Sequence, residues 1–442
     1  MADKPWKDLT PDEKLACRLD RWRNPDIPFM DAEAEADYRA RVDRLAAAIQ
    51  LQQPDRVPIR LMLGLWPAKR AGLTALDAMT DPVRSGEVWL AFNQEFPLDG
   101  MTISTMTSSP MLETLEYRSY AWAGHGLAPE AMYQYVEREW MYPEEYDHLI
   151  ADPTDYMLSV YAPRTVGAFS AFSNLRSVFS FIELPFVEGY TAEWGTPAFL
   201  EGLEKITAAA RRTIEWNNAI GPVIGRLMAM GFPGGAGGMS KAPFDILADT
   251  LRGTKGIMLD MYRCPEKVLA ACERLVPAAV DMALGRTGEL PVPIVIFPLH
   301  KGADGFMSDE QFKIFYWPTL REVLLRVIDE GVIPHLFAEG RYNTRLEEIM
   351  DLPKGRTVWH FDQTDMARAK ETIGTVACLE GNIPLSLMHA GTPEQMVAYA
   401  RGLIDVAGEG GGYIVNLGAS ADDGKEENLK ALIETVMSYG VY

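Results

Sequence analysis

The chain has 442 residues, of which 48% are hydrophobic, enough to bury a large core as one barrel-sized domain with insertions. Its 62 acidic residues against 42 basic ones give a formal charge of −20, which excludes nucleic acid and anionic membranes as long-range partners. The N-terminal MADKPWKDLTPDEK lacks an apolar core and no 18-residue apolar run follows, so neither a signal peptide nor a membrane span is expected, and a cytoplasmic location is. Cys17, Cys264, Cys272 and Cys378 are too scattered for a zinc ribbon or a disulfide framework, and Cys378, within VACLEG, reads as a small buried hydrophobe.

In chain order, Thr10-x-x-Glu13 forms a capping box and opens a helical N-terminal extension, continued by an amphipathic stretch over 36–52. Strands are expected at Val57–Leu63 and Gly100–Ser104. Residues 105–190, rich in Met, Tyr and Trp, read as an insertion, partly loop, that either covers a pocket or packs beneath long loops. From there short β-branched runs alternate with helical ones. The runs begin at Pro222-Val223-Ile224 and continue at 294–297, 332–337, 357–361, 376–379 and 413–415. Ser308-x-x-Gln311 and Thr392-x-x-Gln395 are capping boxes, and Leu320, Val323, Leu324, Val327 and Ile328 recur at helical spacing, as do Leu429, Leu432, Ile433, Val436 and Met437. Six successive βα units predict a closed (β/α)8 TIM barrel of the α/β class, a single domain over 1–442 with 105–190 inserted as a lid. The glycines at 234, 235, 237 and 238 do not make a G-x-G-x-x-G fingerprint.

Chemistry in such a barrel gathers at the C-terminal ends of the strands. That rule selects Glu339-Gly340, His360 with Asp362 and Asp365, Glu380-Gly381-Asn382, and His300 with Asp304. Asp365 precedes a helical run and is better read as its N-cap. His300, Asp304 and His335 are assigned to substrate binding, although His300 also suits loop carbonyls and His335 suits packing. Glu339 and His360 end adjacent strands, Gly340 permits a sharp turn beside them, and the pair suits either a Zn²⁺ ion or metal-free acid–base work. The catalytic set expected is His360, Glu339, Asp362 and Asn382, with Glu339 and His360 as metal ligands.

The stretch ARVDRLAAAIQLQQPDRVPI, followed later by IDEGVIPHLFAEG, HFDQTDMARAKETIG, ACLEGNIPLSLMHAGTPEQM and GGGYIVNLGASADDGKEENLKALIETV, resembles the uroporphyrinogen decarboxylase superfamily from residue 37 to the C-terminus, with 105–190 poorly matched. The resemblance implies a (β/α)8 barrel and three competing activities. Porphyrinogen decarboxylases carry an Arg-Gln-Ala-Gly-Arg element where this chain reads Leu63-Gly64-Leu65-Trp66-Pro67-Ala68-Lys69-Arg70. The thiol-methylating branch uses His-x-Cys and a later Cys, but Phe337 and Glu339 stand at the former and Leu417-Gly418-Ala419-Ser420 holds no cysteine. What remains resembles the ether-cleaving methyltransferases of O-demethylase systems, whose Glu and His motif matches Glu339 and His360; the motif's first Glu falls on Leu324.

By that resemblance a methyl group passes from a methoxylated, aromatic substrate to the cob(I)alamin of a separate corrinoid protein, with a Zn²⁺ or protonated His stabilising the leaving oxygen. The scarcity of clustered basic residues fits a substrate that is not a multiply charged anion. None of His125, His148, His300, His335, His360 and His389 lies in an Asp-x-His-x-x-Gly corrinoid loop, so cobalamin is expected on the partner. The expected partners are the corrinoid protein and the small substrate, with a homodimer also allowed for. Two rivals stand beside this: a decarboxylase or lyase of a small acid, clamped by Arg60, Arg226 or Arg341, and a non-catalytic tetrapyrrole-binding protein.

Overall fold

A computed structural model describes residues 4–96, 98–103, 107–285 and 289–442. The capping box at Thr10 is present and starts the helix Pro11–Arg23; a second helix, Ala32–Ile49, is capped by Asp31. Nine strands occur among these residues: β1 (Tyr120–Ala123), β2 (Gly126–Leu127), β3 (Tyr133–Tyr135), β4 (Gly238–Met239), β5 (Ile294–Leu299), β6 (Ile333–Ala338), β7 (Val358–Phe361), β8 (Cys378–Gly381) and β9 (Tyr413–Ile414). Strands β4 to β9 form a parallel sheet in sequence order.

Two extended segments close that sheet into a ring. Val415 N donates to Pro58 O at 2.8 Å and Arg60 N to Val415 O at 3.0 Å, which docks 57–63 beside β9. Asp99 N then donates to Ile59 O at 3.0 Å, Met101 N to Pro233 O at 2.9 Å, and Gly237 N to Ile294 O at 2.8 Å. The chain is therefore a (β/α)8 TIM barrel, with 57–63 and 98–103 as its first two walls. Ser104, the expected end of the second, lies outside the described residues.

Alternation along the strands sorts the two faces. Val295, Phe297, Leu336, Trp359, Phe361 and Leu379 point outward into the main core beneath the helices. Ile294, Ile333, Val358, Cys378 and Ile414 point inward at the N-terminal end, where Trp22, Tyr38, Val42 and Leu45 of the two N-terminal helices plug the barrel. Asp99, fully buried, ties that plug to the wall by pairing with Arg44 at 2.6 Å and Arg56 at 2.7 Å.

The expected strand at Pro222-Val223-Ile224 is instead part of the 33-residue helix Pro197–Ala229. Ile220, Val223 and Leu227 recur at helical spacing and bury against Trp89 and Leu90, and that packing outweighs the β-branched run. The third wall of the barrel is the glycine cluster itself. A Cβ at Gly237 would lie 2.2 Å from Val292 O, so the close approach of two backbones there requires glycine. The segment 105–190, read as partly loop, holds short helices and the three-stranded sheet β2-β1-β3 among its described residues.

Candidate active site

Above the plug, the inward face of the barrel turns polar. His335 on β6, His360 on β7 and Glu380 on β8 face one another, each with a ligand-type atom within 4.8 Å of the others. Glu380, fully buried, accepts from Arg60 Nη2 at 2.6 Å, Arg60 Nε at 3.2 Å, Asn416 Nδ2 at 2.6 Å and His335 Nε2 at 2.9 Å. Burial opposes ionisation of Glu380, but Arg60 and His335 beside it hold the carboxyl well below the usual range. It is a carboxylate inside the barrel.

The two imidazoles are neutral. Burial pushes His360 down to about 4 and lowers His335, against the pull of Glu380. Because carboxylate and carbonyl oxygens only accept, His335 donates from Nε2 to Glu380, and His360 donates from Nε2 to Leu417 O at 2.6 Å. Each ring therefore carries its lone pair on Nδ1. Both Nδ1 atoms are buried and have no hydrogen-bond partner. A neutral imidazole held by its other nitrogen on a carboxylate or carbonyl is the form that binds a metal ion, so His335, His360 and Glu380 fit a divalent cation such as Zn²⁺.

A second polar group lies at the mouth, past the ends of β4 and β5. Asp249 takes His300 Nδ1 at 2.5 Å, Lys241 Nζ at 2.9 Å and Lys301 Nζ at 3.4 Å. Glu339 approaches the other side of His300, Nε2 to Oε1 at 3.3 Å. Burial would lower the pKa of His300, but its bonds to Asp249 and Glu339 push it up to about 10. Burial likewise opposes charge on Asp249, yet His300 and Lys241 hold it low. Behind them Asp245, fully buried, accepts from the backbone of His300 and Lys301 and from Tyr316 OH at 2.7 Å. Desolvation and the neighbouring Asp249 raise Asp245 to about 6.

The expected pairing of Glu339 with His360 is not the one formed. On β6 the inward positions run His335, Phe337 and then Glu339 beyond the strand. The Phe337 ring, 4.8 Å from that of His360, occupies the level between, and Glu339 meets His300 instead. Leu324 is buried in the helix Trp317–Asp329, outside the barrel wall. Asp362 accepts from Gly340 N at 3.1 Å, where Gly340 has φ +82°, and burial raises its pKa. Asn382 donates to Thr364 O at 2.7 Å and leaves Oδ1 buried without a partner. Asp304 staples the next loop through Thr344 Oγ1 at 3.1 Å, and Asp365 is the N-cap of Met366–Thr372.

Sequence reasoning had Glu380 among the strand ends and Arg60 as a clamp, but not as a pair. Asp245, Asp249 and Lys241 were missed. Their only sequence signal is a position just after the glycine-rich wall, which does not look like a strand. Of the three arginines considered as clamps, Arg60 is neutralised by Glu380, while Arg226 and Arg341 are exposed.

Residues 235–439 match the family model for uroporphyrinogen decarboxylase (URO-D). No curated protein matches the sequence. Among solved structures, a methyltransferase from Methanosarcina mazei is similar, with a TM-score of 0.57 and 15% identity over 90% of this chain and 98% of that one. The match to the uroporphyrinogen decarboxylase model thus falls on the segment that carries β4 to β9, and the eight-walled parallel barrel as a whole is similar in fold to that methyltransferase.

Proposed function

We propose that the chain is a methyltransferase that takes a methyl group from a small methoxylated, aromatic substrate and delivers it to the cobalamin of a separate corrinoid protein. The observation that carries this is the pair of neutral, buried imidazoles, His335 and His360, each presenting an unshared Nδ1 lone pair beside an ionised Glu380. His335, His360 and Glu380 would hold a Zn²⁺ ion, which supplies Lewis acidity toward an ether oxygen. Arg60 and Asn416 keep Glu380 oriented, and the hydrogen bonds on Nε2 fix both ring tautomers. When the C–O bond breaks, the electron pair stays on oxygen. Preorganised positive charge at that position lowers the barrier in a site closed to water.

Other features support the same reading. Arg60 is spent on Glu380, which takes the one arginine at the barrel floor among the described residues away from the several carboxylates of a porphyrinogen. Tyr133 and Tyr135 meet Tyr120 edge-to-face with centroid distances of 5.7 and 5.3 Å, and Tyr135 OH donates to Asp249 O at 2.5 Å, so the inserted segment 105–190 would act as an aromatic cover. The cobalamin would arrive on its own protein over the same mouth.

Metal analysis and a methyl-transfer assay test the proposal. The purified chain should hold about one Zn²⁺, lose it in His335→Gln and His360→Gln, and methylate reduced cobalamin when given a methoxyarene. A chain without metal that zinc does not activate, or one that forms no methylcobalamin with any methoxyarene, contradicts it.

A further inference from the structure

The sequence shows no run of basic residues, yet folding draws three cations onto one carboxylate. Lys241 arrives from the end of β4, His300 and Lys301 from the end of β5, and all three contact Asp249. Asp249 cannot satisfy them. An ammonium has three hydrogens; among the described residues Lys241 Nζ pairs with Asp249 alone, and Lys301 divides itself between Asp249 and Thr254 Oγ1 at 3.0 Å. Asp245 is fully buried behind the cluster and already takes two backbone N–H groups and the Tyr316 hydroxyl. Among the described residues, Glu339 is the other carboxylate that pairs with the cluster, through His300. Its contact with His300, at 3.3 Å, is the longer of that ring's two, and its side chain is 45% exposed.

We infer that Lys241, His300 and Lys301 form an anion site at the barrel mouth that binds a single carboxylate of the substrate, with the Glu339 carboxylate occupying that place in the free protein. An incoming carboxylate displaces Glu339 from His300 Nε2 and takes the spare ammonium hydrogens, as a charge-assisted set. Glu339 can leave because it is at the solvent edge, whereas Asp249, wedged among three cations, cannot. One site of this kind selects a monocarboxylate, not a polyanion. The inference builds on the proposed methyl transfer only in taking the barrel mouth as the substrate entrance.

Calorimetric titration of the purified full chain with benzoate and with benzamide, its neutral counterpart of similar shape, tests it without any turnover. Benzoate should bind at least about tenfold more tightly, a difference of about 1.4 kcal/mol. Lys241→Gln should weaken benzoate and leave benzamide unchanged. Glu339→Gln should tighten benzoate several-fold, since it removes the internal competitor, and this exposed position keeps the test open even if Lys241→Gln fails to fold. Equal binding of the two compounds, or benzoate binding that Glu339→Gln leaves unchanged or weakens, overturns the inference. A chain that makes methylcobalamin yet does not prefer benzoate loses this inference alone; one that prefers benzoate but transfers no methyl group loses the methyltransferase proposal alone.

Discussion

At the scale of single residues, the barrel floor depends on an ion pair whose carboxylate, Glu380, is fully buried. Glu380→Gln keeps the shape of the side chain but leaves the Arg60 guanidinium without its counter-charge, and the loss should be about 3–5 kcal/mol in chemical denaturation. Replacing Arg60 and Glu380 together with Met should recover most of that, because both desolvation costs vanish with the charges. A loss below about 1 kcal/mol for the single variant would mean that the pair is solvated. His300 carries a pH dependence of known sign. Its folded pKa of about 10 lies above the ordinary 6.5, so the stability it contributes is complete below pH 6.5 and disappears as pH rises through about 10. Thermal midpoints at pH 7 and pH 10 should therefore fall further apart in the native chain than in His300→Gln. Equal falls in the two would assign the loss to other groups.

At the scale of elements, the local rules held wherever a cap defines them. The capping boxes at Thr10, Ser308 and Thr392 form as their spacing predicts, since the partners lie within four residues of one another. The junction between the N-terminal plug and the barrel depends on glycine. Gly331 has φ +70°, and a Cβ there would sit 2.5 Å from the backbone of Lys14 and Leu15. Gly331→Ala should cost about 1–2 kcal/mol from the left-handed conformation alone, and more because the helix Pro11–Arg23 must move off the barrel. Gly225→Ala, in the long helix with nothing within 4 Å of the new methyl, should instead stabilise by up to about 1 kcal/mol. Thermal unfolding of the two variants checks both signs, and a neutral Gly331→Ala would show that the plug is loosely seated. The run Pro222-Val223-Ile224 went the other way from its propensity because its neighbours Ile220 and Leu227 complete a helical face, a pattern longer than the strand signal it competes with.

At the scale of the whole molecule, the sequence by itself determined the class of fold. Alternating βα units and the caps between them are local periodicities that any chain segment displays before it folds. The candidate polar residues were legible for the same reason: strand C-terminal ends can be found one strand at a time. Which of them meet was not legible. Glu339 and His360 end neighbouring strands, yet Glu339 lies a level above Phe337 and faces His300, while Glu380, one strand further on, completes the group with His360 and His335. The difference is set by stagger between parallel strands, with Phe337 paired to His360 and His360 to Glu380, and register between strands has no trace within either one. The third wall escaped notice because close approach of two backbones selects glycine, which carries no strand signal, and with it went Lys241, Asp245 and Asp249. Charge followed the same division. Composition settled the overall −20, but the gathering of Lys241, His300 and Lys301 around Asp249 exists only because the ends of β4 and β5 are brought to one side of the barrel mouth.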